Sequence, residues 1–555
     1  MPTIKKIALI EPEPPGLHVF SSFRMPRLGL PLLGAILKKN GYDVTIHVGA
    51  LSDAYIKEFS QSDLIAISTT TSTAIEAYRI ADLFRALGKT VVIGGVHATF
   101  LHDEALGHAD YVVRGEGENV FPELIRHIAD ETLPKGLQGV SFSDGEEIIH
   151  NPVAPLIDDL DTLPFPDFSL LNDSLKLFNT PVQTSRGCPY PCNFCNVTQM
   201  FGRKMRYRSV DHVIAELSQL PSEEIFFYDD NFCANPKRTK DLCEAMAQKS
   251  IKSKRGSAQV RADMTRDREL VQLMKSVGIN QVYVGFESIN PDSLEYFDKK
   301  QTVEEIAQAM EVFRQFKIHV HGMFVMGAEH DTEKTAQDTL KFARKHRIDT
   351  VQFMMLCPLP GTMLADQLDT EGRILTKDWS LYDAHHAVYI PKKMSAETLQ
   401  TSTILAMQRF YSLWDGVLKL SKGDWYNAVR RAMGWYLIRN WKKDNKGWDA
   451  HLRQLNTGKY QAIIDQYLVE AKKQIDELRE KFKTKNPVLN ARLDDLRNTI
   501  EAYGKEVARI SSELRSGIET DLPKLQKRAE QVLQSAENAV NEFRRLSQRI
   551  NKQAI

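Results

Sequence analysis

The chain has 555 residues, of which 42% are hydrophobic and 26% are charged. This length exceeds what one ordinary hydrophobic core supports, so the sequence predicts two to four domains. Lysine and arginine number 72, as do aspartate and glutamate, so the overall charge does not indicate nucleic-acid binding. No run of about 18 apolar residues and no signal-peptide pattern is seen, which predicts a chain without a membrane span and a cytoplasmic location.

Residues 1–145 alternate short apolar runs with helical patterns, which predicts a parallel sheet covered by helices on both faces. The five expected strands are Lys6–Glu11, Asp43–His47, Asp63–Ser68, Thr90–Gly95 and Asp110–Glu118. Such a doubly wound domain binds ligands at the carboxyl ends of its strands. Small and hydroxyl residues in the loops there would let a large ligand approach the backbone.

Residues 146–175 are rich in proline and lack a clear period, so they are expected to form a linker. Strands and helices then alternate again over residues 176–390. The six expected strands are Val182–Ser185, Glu224–Asp230, Ser257–Asp263, Gln281–Ser288, His319–Gly327 and Val351–Pro358. Six such units predict a partial or full parallel barrel, with its chemistry at the carboxyl ends of the strands.

The rest of the chain has helical patterns. Residues 391–457 predict a helical domain, and apolar residues over 458–555 recur with coiled-coil spacing. The latter predicts a three-helix bundle or a coiled-coil extension that offers a route to an oligomer. The aromatic and basic segment Leu413–Lys443 suggests peripheral membrane contact, although a helical pair packed on the barrel is the preferred interpretation.

Three of the six cysteines, Cys188, Cys192 and Cys195, lie within eight residues. A structural zinc site takes four ligands, and no second Cys or His pair follows at zinc-finger spacing. A [4Fe–4S] cluster held by only three thiolates leaves one iron open to another ligand. The spacing therefore favours a reactive iron–sulfur cluster, with a zinc site or a fortuitous grouping as the alternatives.

This CxxxCxxC spacing, just after the first barrel strand and with Phe194 before the last cysteine, resembles the signature of the radical S-adenosylmethionine superfamily. The later strand ends YDDNF, QVRAD, GFES and GMFVMG agree with that family's pattern. The resemblance implies that the amine and carboxylate of S-adenosylmethionine bind the open iron. It also implies reductive cleavage to a 5′-deoxyadenosyl radical, with the electron supplied by a donor such as flavodoxin or ferredoxin.

The same resemblance implies contacts with S-adenosylmethionine at the strand ends. Arg261 is expected to bind the carboxylate, and Glu287 to accept hydrogen bonds from the ribose hydroxyls or the amine. Further expected contacts are Asp229, Gln259, Gly285, Gly322 and Gly327. An ordinary salt bridge or turn at the barrel mouth is the alternative for these residues.

A doubly wound domain ahead of such a barrel resembles the cobalamin-binding subgroup, through the motifs GGVHATF, VVRGEGE and PLPGT. No DxHxxG motif is present, so the subgroup implies cobalamin held without a histidine ligand from that motif. The expected lining residues are Thr69, Thr70, Ser72, Gly94, Gly95, His97 and Glu116. For His97, a histidine at a helix entry that is satisfied by the backbone is at least as well supported.

Anaerobic porphyrin-ring cyclases and hopanoid-type methylases are the nearest members in overall pattern, which implies a small-molecule substrate such as a tetrapyrrole or a lipid. Methyl transfer to an unactivated carbon is the first interpretation. The alternatives are a radical cyclisation or rearrangement, a cobalamin-free radical enzyme and, more distantly, an iron–sulfur scaffold or sensor. Cys357 is a candidate catalytic thiol, although a buried core cysteine is the favoured interpretation.

Overall fold

The computed structural model describes residues 4–16, 25–172, 179–220 and 224–456, with the isolated positions 498 and 502. The coiled-coil repeats expected over 458–555 lie outside these described residues, apart from the two isolated positions. No helix in the described part of the chain is long and apolar enough to cross a membrane. The chain divides into two compact units, of which the first comprises Met1–Asp366, Thr376–Val388 and Thr398–Asp444.

The N-terminal sheet has seven strands in the order β2-β1-β3-β4-β5-β6-β7. The strands are β1 Lys6–Pro12, β2 Asp43–Gly49, β3 Leu64–Ser68, β4 Thr90–Gly94, β5 Tyr111–Val113, β6 Val140–Asp144 and β7 Glu147–His150. The first five are parallel, which confirms the doubly wound prediction. The antiparallel hairpin of β6 and β7 was not predicted, and β5 is shorter than the sequence pattern suggested.

Helices cover both faces of this sheet. They are α1 Gly29–Lys39, α2 Asp53–Phe59, α3 Ala74–Ala86, α4 Val96–Phe100, α5 His102–Leu106 and α6 Gly117–Ala129. Successive residues of β1 alternate between two apolar cores, because side chains of a strand point to opposite faces. Ile7 and Leu9 join the core under α1 and α6, whereas Ala8 and Ile10 join the core under α3.

Eight strands follow an irregular linker that includes two short 3-10 turns. They are β8 Thr180–Val182, β9 Ser185–Arg186, β10 Arg206–Tyr207, β11 Ile225–Phe227, β12 Gly256–Val260, β13 Ile279–Glu287, β14 His319–Met326 and β15 Thr350–Met355. Six of them form a parallel sheet in the order β15-β14-β13-β12-β11-β8. This arrangement confirms the predicted partial barrel, with β8 and β15 as its edges.

The barrel helices are α7 Val197–Phe201, α8 Val210–Leu217, α9 Pro236–Gln248, α10 Arg268–Ser276, α11 Pro291–Tyr296, α12 Val303–Gln315, α13 Thr335–Lys345 and α14 Met363–Thr370. Several begin at a side chain that accepts a hydrogen bond from an amide of the first turn, which is the preferred way to satisfy helix N-termini. These caps are Ser209, Asn235, Asp267, Asn290 and Thr302. The sequence thus fixes where most crossover helices start.

The described residues 396–456 are helical, as predicted, with α15 Ala396–Phe410, α16 Leu413–Ser421, α17 Trp425–Asp444 and α18 Lys446–Asn456. Tyr411 joins this region to the edge strand β15. Its hydroxyl accepts from the amide of Val351 at 2.9 Å and donates to the carbonyl of Val351 at 2.6 Å. Tyr411 therefore satisfies backbone groups of Val351 at a sheet edge that no described strand pairs.

The second compact unit includes Gln367–Leu375, Tyr389–Glu397 and the chain from Asn445 onward. Within it, the fully buried Arg373 donates from Nε to the carbonyl of Ile390 at 2.7 Å and pairs with Glu371 at 2.8 Å. The predicted domain boundaries at 145, 175, 390 and 457 stay predictions.

Candidate functional site

The three clustered cysteines lie on the loop of residues 187–205, which joins β9 to β10 and which we call the cysteine loop. The Cys195 amide donates to the carbonyl of Cys192 at 3.3 Å, and the Cys188 amide donates to the carbonyl of Gly202 at 3.4 Å. All three cysteines are half-buried and free of disulfides. The loop therefore presents three soft donors from one short segment, a set that suits iron.

Burial raises the pKa of each of these thiols, and that of Cys195 reaches about 12. The positive charges of Lys299 and Arg261 act in the opposite direction on Cys188 and Cys192. Since thiols bind metal as thiolates, iron must displace these protons when it binds. Two nearby cations are well placed to offset the negative charge that three thiolates bring.

Glu287 and Lys299 form a buried ion pair, with Lys299 Nζ 2.6 Å from Glu287 Oε1. The pairing register between β13 and β14 shifts just before Glu287, which has a φ angle of 58°. The side chain of Glu287 therefore departs from the regular alternation of side chains along the strand. A Cβ atom at Gly285 would lie 2.5 Å from Glu287 Oε1, so the glycine leaves room for the pair. Lys299 was missed by the sequence reasoning, because no motif marks it.

Arg261 links this pair to the cysteine loop. Its Nη2 donates to the carbonyl of Lys299 at 2.7 Å, and its guanidinium lies 3.7 Å from the ring centroid of Tyr190, a residue of the loop. The Tyr190 hydroxyl in turn donates to Asp263 at 3.3 Å. The structure therefore brings the predicted residues Arg261 and Glu287 together with the cysteines.

Two neighbouring carboxylates follow β11. Asp229 is buried and accepts hydrogen bonds from the Thr184 amide at 3.1 Å and the Ser185 hydroxyl at 2.5 Å, which joins the ends of β8 and β11. Burial and the charge of Asp229 raise the pKa of Asp230 to about 7. Asp230 in turn raises the pKa values of Cys188 and Cys195, after the larger effect of burial.

The other predicted contacts of S-adenosylmethionine are more dispersed. Gln259 is partly exposed on β12. A Cβ atom at Gly322 would lie 3.1 Å from the ring of Phe286, which indicates close packing between β13 and β14. The Gly327 amide donates to Asp331 at 2.9 Å in the turn after β14. Contacts of these residues with a nucleoside stay predictions.

The carboxyl edge of the N-terminal sheet offers small residues to a ligand. Thr70, Ser72, Gly94 and Gly95 are partly exposed there, whereas Thr69 is buried, with its hydroxyl 3.0 Å from that of Thr73. The loops after β3 and β4 touch, because a Cβ atom at Gly95 would lie 2.4 Å from the Thr69 carbonyl oxygen. Small side chains and close backbones fit a large flat cofactor such as a corrinoid.

His97 lies in the apolar core of this domain and is completely buried. Its Nε2 is 3.1 Å from the Tyr78 hydroxyl and 3.6 Å from Glu104, and its ring meets the edge of Trp379 at 5.2 Å. The structure therefore places His97 among core side chains. This agrees with a structural role, although the partners are side chains and not the backbone.

Glu116 is also buried, but in a group of charges. Its carboxylate accepts hydrogen bonds from Arg186 and Arg206, which flank the cysteine loop. The hydrogen bonds of this carboxylate therefore join the N-terminal domain to the barrel. Neither arginine was singled out from the sequence, because the pairing depends on residues far apart in the chain.

Cys357 packs against apolar residues of the N-terminal domain, and burial raises the pKa of its thiol. Four residues later, a Cβ atom at Gly361 would lie only 2.3 Å from the ring of Phe100 in α4. The PLPGT motif is thus a second contact between the barrel and the N-terminal domain. The environment of Cys357 agrees with a packing role, and its catalytic role stays a prediction.

Comparisons with known proteins agree with an N-terminal doubly wound domain followed by a barrel. Residues 20–125 match the B12 binding domain family, and residues 182–343 match the Radical SAM superfamily. The chain is 32% identical to an uncharacterized methyltransferase of Pyrococcus horikoshii over 74% of this chain and 93% of the relative. It is 31% identical to the bacteriochlorophyllide d C-12(1)-methyltransferase of Chlorobaculum tepidum, over 72% of this chain and 85% of the relative.

The fold is similar to that of the cobalamin-dependent S-adenosylmethionine radical enzyme OxsB with aqua-cobalamin bound. The TM-score is 0.60 at 16% identity, with 100% of this chain and 82% of that chain covered. The two family matches identify the cofactors of the chain as a [4Fe–4S] cluster, S-adenosylmethionine and cobalamin. With both cofactor domains present and full-length relatives named as methyltransferases, the chain belongs to the cobalamin-dependent radical S-adenosylmethionine methyltransferase family.

Proposed function

We propose that this enzyme transfers a methyl group to an unactivated carbon of a tetrapyrrole-like or lipid-like small molecule. The observation that carries the proposal is the cysteine loop beside the buried Glu287–Lys299 pair, at the carboxyl end of a barrel whose relatives are named methyltransferases. The tetrapyrrole class is favoured by the likeness to an enzyme named for bacteriochlorophyllide d.

In this proposal Cys188, Cys192 and Cys195 hold the cluster. When bound, the reduced cluster and cobalamin supply the radical and methyl-transfer chemistry. Arg261 and Lys299 provide the positive charge that orients the carboxylate of S-adenosylmethionine, and Glu287 holds Lys299 in place. Asp229, Gln259, Gly285, Gly322 and Gly327 complete the proposed surroundings of this substrate.

Cobalamin is proposed to lie on the carboxyl edge of the N-terminal sheet, against Thr69, Thr70, Ser72, Gly94 and Gly95. Thr70, Ser72, Gly94 and Gly95 are partly exposed and would let the ring approach the backbone, whereas the buried Thr69 would support this edge through its hydroxyl contact with Thr73. Arg27 adds a cation here, because its Nη2 donates to Thr70 Oγ1 at 3.0 Å and its Nε lies 3.3 Å from Glu11. Propionamide and phosphate groups of a corrinoid are suitable partners for these polar side chains.

The experiment is anaerobic reconstitution followed by incubation with labelled S-adenosylmethionine and a chlorophyllide-type substrate. Formation of both 5′-deoxyadenosine and S-adenosylhomocysteine supports methyl transfer, whereas 5′-deoxyadenosine alone supports the runner-up, a radical cyclisation or rearrangement. Cys188→Ala should abolish both products. Cys243→Ala, which alters a buried cysteine of α9, is the matched control and should retain them.

A low-potential flavodoxin or ferredoxin is the proposed electron donor, and the cytoplasm is the proposed location because the cluster needs a reducing environment.

The segment 458–555 is proposed to join copies into an oligomer through its coiled-coil spacing. Mass photometry of the full chain and of a chain truncated after residue 457 tests the oligomer. If both proteins contain the same number of chains per particle, this role of the segment is excluded.

We also propose that α16 and α17 contact an anionic membrane surface. Trp414 and Trp425 are 71% and 67% exposed, and they lie among further exposed apolar residues: Leu413, Val417, Leu418, Leu420, Val429, Met433 and Tyr436. Exposed cations complement anionic lipid: Lys422, which follows α16, and Arg439, Lys442 and Lys443 of α17. Indole rings and basic side chains together favour the bilayer interface.

Sedimentation with liposomes tests this contact. The chain should pellet with anionic vesicles at low salt and less with zwitterionic ones, and the double variant Trp414→Ser/Trp425→Ser should remain in the supernatant. Equal sedimentation of the double variant and the wild type would exclude this surface as the membrane contact.

A further inference from the structure

We propose that Glu116 and Arg206 are positioning residues that hold the cysteine loop in a fixed place against the N-terminal domain. The inference rests on the proposed function, because it concerns the loop that would carry the cluster. Four charged side chains make up the group that we call the inter-domain charge cluster: Glu116, Glu118, Arg186 and Arg206.

Arg206 binds Glu116 through two parallel hydrogen bonds. Its Nη1 lies 2.8 Å from Glu116 Oε2, and its Nη2 lies 2.9 Å from Oε1. Arg186 reaches the same Oε1 with its Nη1 at 2.9 Å and binds Glu118 with its Nη2. Such bidentate contacts fix the relative orientation of two groups as well as their distance.

The linker joins the same cluster. The Ile157 amide donates to Glu116 Oε2 at 2.7 Å, and the Ile157 carbonyl accepts from Arg206 Nη1 at 2.7 Å. Glu116 thus accepts four hydrogen bonds, which uses the acceptor capacity of a carboxylate. A residue held from so many directions cannot turn toward another partner without breaking the contact between the domains.

The cluster is buried and balanced in charge. The side chains of Glu116 and Arg206 are each 2% exposed. Burial raises the pKa of Glu116, but hydrogen bonds from Arg206 and the charge of Arg186 hold it below the ordinary value, so the carboxylate is ionised at neutral pH. Buried ion pairs add little stability over well-packed apolar residues, because desolvation offsets their attraction. Orientation, more than stability, therefore accounts for this cluster.

Its position decides what it orients. Arg186 precedes Cys188 by two residues, and β9 pairs with β10 so that Arg186 lies opposite Arg206. The cysteine loop therefore begins and ends at arginines that bind one carboxylate of the N-terminal domain. A displacement of about 1 Å in a reacting system can cost roughly 100-fold in rate, so a link between the loop and the cobalamin-binding domain has a direct catalytic consequence.

The test is hydrogen–deuterium exchange on the anaerobically reconstituted full-length protein with bound cobalamin. In Glu116→Gln and in Arg206→Lys, amides of residues 187–205 should exchange at least about tenfold faster than in the wild type, because local opening becomes easier. The ratio of S-adenosylhomocysteine to 5′-deoxyadenosine should fall roughly tenfold or more, because the radical and methyl-transfer sites lose register.

Glu216→Gln is the matched control, since Glu216 is a buried carboxylate that pairs with Arg208 inside the barrel. It should leave the exchange of residues 187–205 unchanged. If Glu116→Gln does not fold, Glu118→Gln is the milder variant, because it removes one of the negative charges that Arg186 contacts and leaves Arg206 bound to Glu116. It should give a smaller increase in exchange in the same segment.

Unchanged exchange of residues 187–205 in Glu116→Gln or Arg206→Lys would overturn the proposal, as would the same change in Glu216→Gln. The exchange readout does not require turnover. A wild type that forms no 5′-deoxyadenosine would therefore refute the proposed function, while the exchange data would still decide whether the cluster positions the loop.

Discussion

Lys299 Nζ lies 2.6 Å from Glu287 Oε1, and both side chains are buried beside the cysteine loop. The carbonyl of Lys299 also accepts a hydrogen bond from Arg261, so one residue connects a carboxylate, a guanidinium and the loop. A buried carboxylate without this cation would be costly. Lys299 therefore balances the buried charge of Glu287 beside the thiols.

Lys299→Met should weaken binding of S-adenosylmethionine at least about tenfold, because it removes a cation proposed to bind the carboxylate, and a hydrogen bond to a charged group contributes about 1.5 to 3 kcal/mol. Equilibrium dialysis with labelled S-adenosylmethionine on the reconstituted protein measures the change. Lys300→Met is the control, since Lys300 is exposed and pairs with Asp298 at the surface. Equal affinities for the two variants would show that Lys299 does not act on this substrate.

Gly361→Ala should destabilise the contact between the PLPGT loop and α4. Gly361 has a φ angle of 80°, and the new Cβ would lie 2.3 Å from the Phe100 ring. Strain and overpacking together predict a loss of about 2 to 4 kcal/mol in the free energy of unfolding. In the double variant with Phe100→Ala the two losses should be less than additive in urea denaturation, whereas strict additivity would exclude the clash.

Gly95→Ala should unfold the N-terminal domain more easily than Gly88→Ala. Both glycines have positive φ angles, of 99° and 74°, but only at Gly95 would a Cβ strike backbone, 2.4 Å from the Thr69 carbonyl oxygen. We expect about 1 kcal/mol of destabilisation at Gly88 and clearly more at Gly95, where the melting temperature and retained cobalamin should both fall. Identical melting curves would argue against contact between these loops.

His321 should make stability dependent on pH. Burial lowers the pKa of this histidine to about 4. As pH falls below about 6.5, the unfolded chain takes up the proton first, so the contribution of neutral His321 is complete above pH 6.5 and declines toward pH 4 by up to about 3 kcal/mol. The free energy of unfolding, measured by urea denaturation, should therefore fall more between pH 7 and pH 5 for the wild type than for His321→Asn. The variant His330→Asn, at an exposed histidine, should behave like the wild type.

The parallel strands could be predicted because buried strands of this kind are short apolar runs between turn residues. The hairpin of β6 and β7 was missed, although Asp144–Gly145 between them is a recognised turn signal, because its outer strand is mostly exposed and lacks an apolar run. The end of β5 was placed too late, because the glycines of RGEGE already lead into α6.

The candidate site was predictable where local spacing decides chemistry, as for the cysteines. It was not predictable where a residue's partner is distant in sequence. Glu116 lies 70 residues from Arg186 and 90 from Arg206, so nothing near it indicated that its carboxylate joins two domains. Lys299 is closer to Glu287, at 12 residues, but it belongs to no recognisable motif.

The inter-domain charge cluster also joins segments of the chain that are synthesised at different times. Domains generally fold as units from the N-terminus during synthesis, so Glu116 is in place before Arg186 and Arg206 leave the ribosome. The newly made cysteine loop can then close on a preformed carboxylate.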